Sequence, residues 1–459
     1  MASTAHPGSR AAGETVATET EDEGGQGWPS LGLACTALVL VTLATMMNFL
    51  DIAVFQLTGE LIKRDFGLTD FELGLLLGPA GIFFYVFVGI PLARLVDIYR
   101  RTTILGLGIL VTSGMTAVGG LAQSFGQFFA TRLFVGVGGS AHGPGTYSLL
   151  ADYFRPKHLP RAFAFLQLGF ILGTGLGAVV GGMLLGYVAD WEPTAIGPLL
   201  IRNWQWVFIF VGIPGLILAA FLFVLPEPPR RGKVSESGAL PISAVLREIR
   251  ARGAVYYPLF IGLAISALEA GGLQAWRAPF MMRTYGWTPE QIGMWSGLTF
   301  FIAMPIGVIF GTWLTEFLSK RHKDAPIRTT AYVFTIAVPF SVVSPLMPTG
   351  ELAVITGALA GVFAIAAAVP QNVAIQTVTP NEMRGQVTAI YLFMFIVFGA
   401  LGASVVPLVT TYIAGGEQNL WISMMLVAAV LLPIAVYAIS RGMKPYAREL
   451  ERLEKVAVA

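Results

Sequence analysis

Charge is scarce in this chain of 459 residues: 12% are Asp, Glu, Lys or Arg, against roughly 25% in a soluble domain. Cys35 is the one cysteine, so neither a disulfide framework nor a thiol metal site is available. The four histidines stand at 6, 142, 158 and 322, and only His142 falls within an apolar run. That leaves no metal-ligand cluster and no catalytic constellation, so neither an enzyme nor a bound cofactor is expected. The polar segments contain no P-loop, which excludes transport driven directly by ATP hydrolysis. A formal charge of +2 implies no polybasic surface for nucleic acid. Residues 1–30 lack a basic start before a short apolar core and carry Glu14, Glu19, Glu21, Asp22 and Glu23. They read as a disordered tail, not a signal peptide.

Apolar residues are abundant: 55% of the chain is hydrophobic and the mean hydropathy is +0.70. Runs of about 20 or more apolar residues, each long enough to cross a bilayer, follow one another to the C-terminus. The spacing predicts an all-α integral membrane protein with twelve spans, near 31–55, 71–93, 102–122, 127–150, 161–188, 204–225, 255–283, 289–316, 326–347, 351–377, 385–413 and 417–440. Sorting Lys and Arg by connection places 23 on the side of the N-terminus and 4 on the other. By the positive-inside rule both termini are cytoplasmic.

The chain divides after the sixth span. A polar connection, 226–254, carries a short surface helix near 241–252. It separates a first unit, 31–225, from a second, 255–440, which a tail at 441–459 follows. The two units echo each other. "GIPLARLVDIYRR" has its counterpart in "GTWLTEFLSKR", with Asp97 and Glu316 offset by 219 positions. "RPKHLPRAFAF" has its counterpart in "TPNEMRGQVTAI", with Arg161 and Arg384 offset by 223. Offsets this close argue for duplication of a six-helix unit.

With these stretches, "NFLDIAVFQLTGELIKRDFGLTDFELGLL" and "RLFVGVGGSAHGPGTYSLLADYF" included, the sequence resembles the major facilitator superfamily, more narrowly its spinster-like branch. The resemblance covers nearly all of 31–440. It implies two six-helix bundles related by a pseudo-two-fold axis around a cavity that opens alternately to each side, a secondary active transporter, usually monomeric. It also implies a cell membrane location, and the bacterial look of the sequence points to the inner membrane.

Ionisable residues inside hydrocarbon are expensive and therefore informative. Asp51 lies some twenty residues into the first span, roughly 30 Å from its start, and Arg132 about five residues into a span that returns, so the two share a depth. They read as partners. The resemblance links such a first-helix acid and fourth-helix arginine to proton coupling, although Ile52 and Gly139 stand where the branch usually has Arg and Glu. Glu269 and His142 reach the midplane from opposite units, where a carboxylate facing an imidazole can hold a proton or a cationic group. Polar side chains placed to meet a substrate are Asn48, Gln56, Tyr147, Gln167, Gln274, Trp276, Arg277, Gln371, Asn372 and Tyr391. Aromatics, amides and few charges suit an amphiphilic lipid-like molecule or an organic anion better than a free sugar. The resemblance further assigns Asp97, Arg100 and Arg101, and their counterparts Glu316, Lys320 and Arg321, to a conformational latch on the inner face. Gly169, Gly173, Gly177 and Gly181, four apart, read as a helix-packing stripe. The competing classes are a facilitated-diffusion uniporter, a passive channel, and a membrane sensor that does not transport.

Overall fold

The computed structural model describes residues 28–230 and 241–458, apart from a few side chains within them. Most of the expected N-terminal tail and 231–240 of the connection lie outside these residues, as does the side chain of Asp97.

Among the described residues, eleven helical segments are long and apolar enough to cross a membrane. One further crossing is built from two shorter helices, α5 (Phe125–Ser140) and α6 (His142–Tyr153). Pro144 causes the break, because it has no N–H to return to the carbonyl of Ser140. In the second half α13 (Gly350–Ala366) and α14 (Ala368–Val378) break in the same way, with Pro370 facing the carbonyl of Ala366. The breaks at Ala141 and Ala367 lie 226 positions apart, close to the repeat offset.

The remaining crossings of the first half are α1 (Leu31–Phe66), α2 (Asp70–Leu77) continued by α3 (Pro79–Ile98), α4 (Arg101–Gly119), α7 (Leu159–Tyr187) and α8 (Asn203–Val224). A short amphipathic helix, α9 (Ile242–Ala251), lies in the connection with Val245 and Ile249 buried. The second half continues with α10 (Gly253–Tyr285), α11 (Pro289–Ser319), α12 (Ala325–Val343), α15 (Arg384–Tyr412) and α16 (Leu420–Val458). Helix pairing repeats between the halves. The first and fifth crossings pack along each other (α1 on α7, α10 on α15), as do the third and sixth (α4 on α8, α12 on α16).

Three features depart from the sequence reading. The helix α1 runs to Phe66 instead of ending near 55, because "GELIKRDF" continues without a breaker to Gly67, whose φ of +64° supplies the left-handed cap. Its 36 residues span about 54 Å, well beyond a hydrocarbon core of about 30 Å, and Asp51 thereby moves toward mid-helix. The expected C-terminal tail is helical, with α16 continuing past Pro445 to Val458. Finally, the all-α reading misses a small hairpin between α7 and α8, β1 (Thr194–Ile196) on β2 (Leu199–Ile201). Its two-residue turn is Gly197-Pro198, with Gly197 at φ +56°.

The face carrying α9 is called here the linker face and the opposite one the distal face. The glycine stripe of α7 packs on α1, where a Cβ at Gly173 would come within 2.5 Å of the carbonyl of Met46 and one at Gly169 within 2.6 Å of that of Thr42. A second set of α7 glycines meets α11 of the other bundle, Gly175 against Gly297 and Phe301, and Gly182 against Pro289 and Gly293. On the other side of the seam Gly74 and Gly78 meet Ala400, Ala403 and Pro407 of α15. Because α7 and α15 run from the linker face to the distal face, the contacts between the bundles at Gly74, Gly78, Gly175 and Gly182 fall in the distal half. The bundles are closed there.

Gly78 sits at the tightest of these contacts. A Cβ built on it would lie 2.0 Å from the carbonyl oxygen of Ala400, and backbone cannot yield to that. Gly78→Ala is therefore expected to leave each bundle folded while barring distal closure. Thiol labelling of Gln56→Cys in a Cys35→Ser background, with reagent added at the distal side, is expected to rise several-fold. Unchanged labelling would mean that α2 and α15 can rearrange around the methyl group.

Candidate functional site

Asp51 and Arg132 meet inside the first bundle. Arg132 Nη1 donates to Asp51 Oδ2 at 3.3 Å, and both residues are buried. Thr116 on α4 donates its hydroxyl to Asp51 Oδ1 at 2.8 Å. The guanidinium lies 5.1–5.2 Å from the ring centres of Phe55, Phe128 and Phe208, so aromatic faces compensate part of its lost hydration. Arg132 Nε and Nη2 have no partner among the described residues. Gly119 makes room for the head group, since a Cβ there would stand 3.1 Å from Nη2. A cavity of about 10 Å³ adjoins Asp51, lined by Asn48, Thr112, Ser113 and Thr116. That is about the space of a single water.

His142 and Glu269 do not face each other. His142 Nε2 lies 2.7 Å from Thr45 Oγ1. Since that hydroxyl already donates to Val41 O at 2.9 Å, the imidazole must be the donor. Its Nδ1 is then left as a buried acceptor without a partner. Glu269 is buried in the second bundle near Ser341 of α12, and its Oε1 has no partner. Each residue is thus turned into its own bundle, and the expected carboxylate–imidazole pair is not formed.

The predicted substrate residues separate into two groups. Gln274 is exposed and donates to Gln56 Oε1 at 3.3 Å. The two are 218 positions apart, close to the repeat offset, so near-equivalent side chains meet across the seam on the pseudo-two-fold axis. Tyr147 and Gln167 are exposed on α6 and α7, and Asn48 borders the small cavity beside Asp51. Arg277, one turn beyond Gln274, has no acidic partner among the described residues, and its Nη2 is buried without a hydrogen bond. Three others are drawn into the core. Trp276 is fully buried and donates Nε1–H to Ala403 O at 2.7 Å, a placement that suits a large apolar ring with one donor to satisfy. Tyr391 donates to Gln371 Oε1 at 3.0 Å, and both are buried.

Among the described residues the expected inner latch makes no ion pair across the bundles, and the side chain of Asp97 lies outside them. Arg101 is bound within the first half, to Asp152 on α6, to Ser148 and to Glu227. Glu227 also accepts from Thr102 N–H at 3.0 Å. Burial works against its charge, but the Thr102 N–H and the Arg101 guanidinium hold its carboxyl below the ordinary glutamate range. Arg100, Glu316, Lys320 and Arg321 are exposed and form no ion pair among the described residues.

A charged network that the sequence reading did not single out joins the bundles at the distal face instead. Arg283, near the end of α10, donates Nη1 to Asp70 Oδ2 at 2.8 Å and Nη2 to Glu60 Oε2 at 2.7 Å. Lys63 donates to Asp70 Oδ1 at 2.7 Å and pairs with Glu417 of the second half. The Arg283 guanidinium also lies 5.6 Å from the Trp276 ring centre. Glu60, Lys63 and Asp70 are buried. The available signal was "GELIKRDFGLTD", a dense group of charges beyond the end of an apolar run.

Comparison with known proteins agrees with this architecture. The family description "Major Facilitator Superfamily" matches residues 41–403. An "MFS-type efflux pump" of Mycolicibacterium smegmatis is 23% identical, covering 87% of this chain and 90% of that one. "Protein spinster" of Drosophila melanogaster is 25% identical, covering 66% of this chain and 49% of its own length. A "Probable L-galactonate transporter" of Escherichia coli is 22% identical over 64% of each. Among solved structures, a bacterial homolog of the human lysosomal transporter spinster, described as inward-facing and unoccupied, superposes with a TM-score of 0.76 at 23% identity, covering 93% of this chain and 99% of that one. With its family match over most of its length and its two duplicated six-crossing bundles, the chain belongs to the Major Facilitator Superfamily and is a membrane transporter, not an enzyme.

Proposed function

We propose that this protein is a secondary active transporter for an organic anion, including amphiphiles with an anionic head, and that it works by alternating access coupled to protons. The observation that carries the substrate class is Arg277, a half-buried side chain whose Nη2 is buried and unpaired just inside the distal closure, one turn from the exposed Gln274. A desolvated, unpaired cation is costly, and a carboxylate or phosphate arriving from the cavity would satisfy it with charge-assisted hydrogen bonds. The relative named for L-galactonate, a sugar acid, supports the same chemistry.

On this reading the distal network is the outer gate and both termini are cytoplasmic, as the 23 to 4 distribution of Lys and Arg implies. The described conformation is then closed outside. Asp51 is the proton-accepting carboxylate. Its protonation removes the charge that holds Arg132 and loosens α1 from α4 and α5, the helices that carry its partners. His142 and Glu269, each turned into its own bundle, are further ionisable groups within the spans.

The test is a thermal shift on detergent-purified protein with galactonate, benzoate and lysophosphatidate, comparing the wild type with Arg277→Gln. Any anion that binds raises the wild-type midpoint by mass action. In Arg277→Gln the shift is expected to vanish, while the unliganded midpoint holds or rises because an unpaired buried charge has been removed. Retained anion shifts in Arg277→Gln would place the substrate elsewhere.

A further inference from the structure

The seam between the bundles holds a cavity of about 240 Å³ beside the distal gate. Leu61 of α1, Leu185 of α7, Val188 at the end of α7 and Trp204 of α8 form its walls from the first half, and Thr288, Pro289 and Glu290 at the start of α11 close it from the second. The polar groups on these walls are mostly satisfied. Asn203 donates to Ala189 O at 3.2 Å and accepts from Trp204 N at 2.8 Å. Thr288 caps α11 by accepting from Gln291 N at 3.3 Å, and Trp204 Nε1–H is taken by Asp65, which also pairs with Arg202.

Glu290 is different. Its carboxylate has no ion-pair or hydrogen-bond partner among the described residues, and Oε2 stands over Gly186, where a Cβ would come within 2.7 Å. The first turn of α11 explains why an acid is tolerated there. It does not supply a counter-charge, and it does not fill the space in front of the carboxylate. Apolar walls beside one exposed, unpaired carboxylate complement a cation with an apolar body. The volume is just under the ~300 Å³ at which sites for drug-sized ligands begin, so the occupant is a small one.

We infer that this cavity is a binding site for an organic monocation, an ammonium group carrying an aromatic or branched apolar substituent, separate from the transport pathway. Both bundles contribute walls, so the site is complete only while the distal face is closed. A ligand held there favours that state by its differential affinity and opposes turnover from the distal side. The inference requires no knowledge of the transported substrate.

The probe is benzyltrimethylammonium, with its uncharged analogue neopentylbenzene as control, titrated calorimetrically against the full-length protein. Binding of the cation alone is expected, weakened a few-fold in Glu290→Gln, as for loss of an exposed charge pair, and retained in Glu290→Asp. Leu61→Trp, which fills the cavity and keeps the carboxylate, is expected to abolish it. Saturating probe is also expected to slow distal labelling of Gln56→Cys several-fold in a Cys35→Ser background, with no such protection in Glu290→Gln. No binding at millimolar concentration, equal binding to Glu290→Gln, or binding without protection would each overturn the inference. Since no transported anion is present, failure here leaves the organic-anion reading standing, and failure of that reading leaves this one testable.

Discussion

Arg283→Ala is expected to unlock the distal face. Arg283 is the cation that ties Glu60 and Asp70 of the first bundle to α10 of the second, with contacts of 2.7–2.8 Å to both carboxylates. Its removal leaves Asp70 with Lys63 alone and Glu60 with Arg64 at 3.3 Å, the latter arginine largely exposed. Removing one partner of a buried ionic cluster costs about 3–5 kcal/mol, because the remaining charges stay desolvated. A fully folded protein has a cheaper response, which is to open and hydrate the acids. Two readouts separate these routes. Distal labelling of Gln56→Cys is expected to rise about tenfold, the factor that corresponds to ~1.4 kcal/mol, while the melting midpoint falls by only part of the full cost. Arg283→Lys retains the charge but cannot bridge both carboxylates bidentately, and should lie between. Unchanged labelling in Arg283→Ala would show that the glycine contacts of α2, α7, α11 and α15 hold the closure without the ions.

Arg132→Met is expected to be the more damaging single change within one bundle. It strands the buried Asp51 with only Thr116 donating to it, and it removes the cation from between Phe55, Phe128 and Phe208. A loss of roughly 3–5 kcal/mol follows if Asp51 stays ionised, less if the carboxyl takes up a proton. Adding Asp51→Asn should recover most of the stability, because the pair is then replaced by groups with no buried charge. It should not recover coupled transport. Rescue of both stability and accumulation by the double substitution would assign the pair a structural role only.

How much of this was legible beforehand depended on the range of the interactions. Twelve crossings, their duplication and the linker helix are written in hydropathy, charge distribution and repeated stretches, all local in the chain. Asp51 and Arg132 were found because a charge in an apolar run demands a partner at its own depth, and depth follows from helical rise. Rotation about the helix axis does not, which is why Glu269 and His142, matched in depth, turned out to point into separate bundles. Trp276, Gln371 and Tyr391 were misplaced for the same reason, since a polar atom within a span can be satisfied by a neighbouring carbonyl as well as by a ligand. The distal network was missed because Glu60, Lys63 and Asp70 lie where charges are cheap, and nothing local connects them to Arg283 or Glu417. Among the described residues the inner-face loops carry no ion pair across the bundles, whereas the two halves meet at the distal face.

The central claim, alternating access coupled to protons through Asp51, is tested most directly in proteoliposomes carrying an imposed pH gradient, with an anion identified by thermal shift as the tracer. Wild-type protein is expected to concentrate the anion above its level in the medium, and a protonophore is expected to abolish that accumulation. Asp51→Asn is expected to retain exchange of labelled for unlabelled anion while losing accumulation. Accumulation that persists in Asp51→Asn, or that ignores the protonophore, would contradict the account and leave a uniporter or a different driving ion.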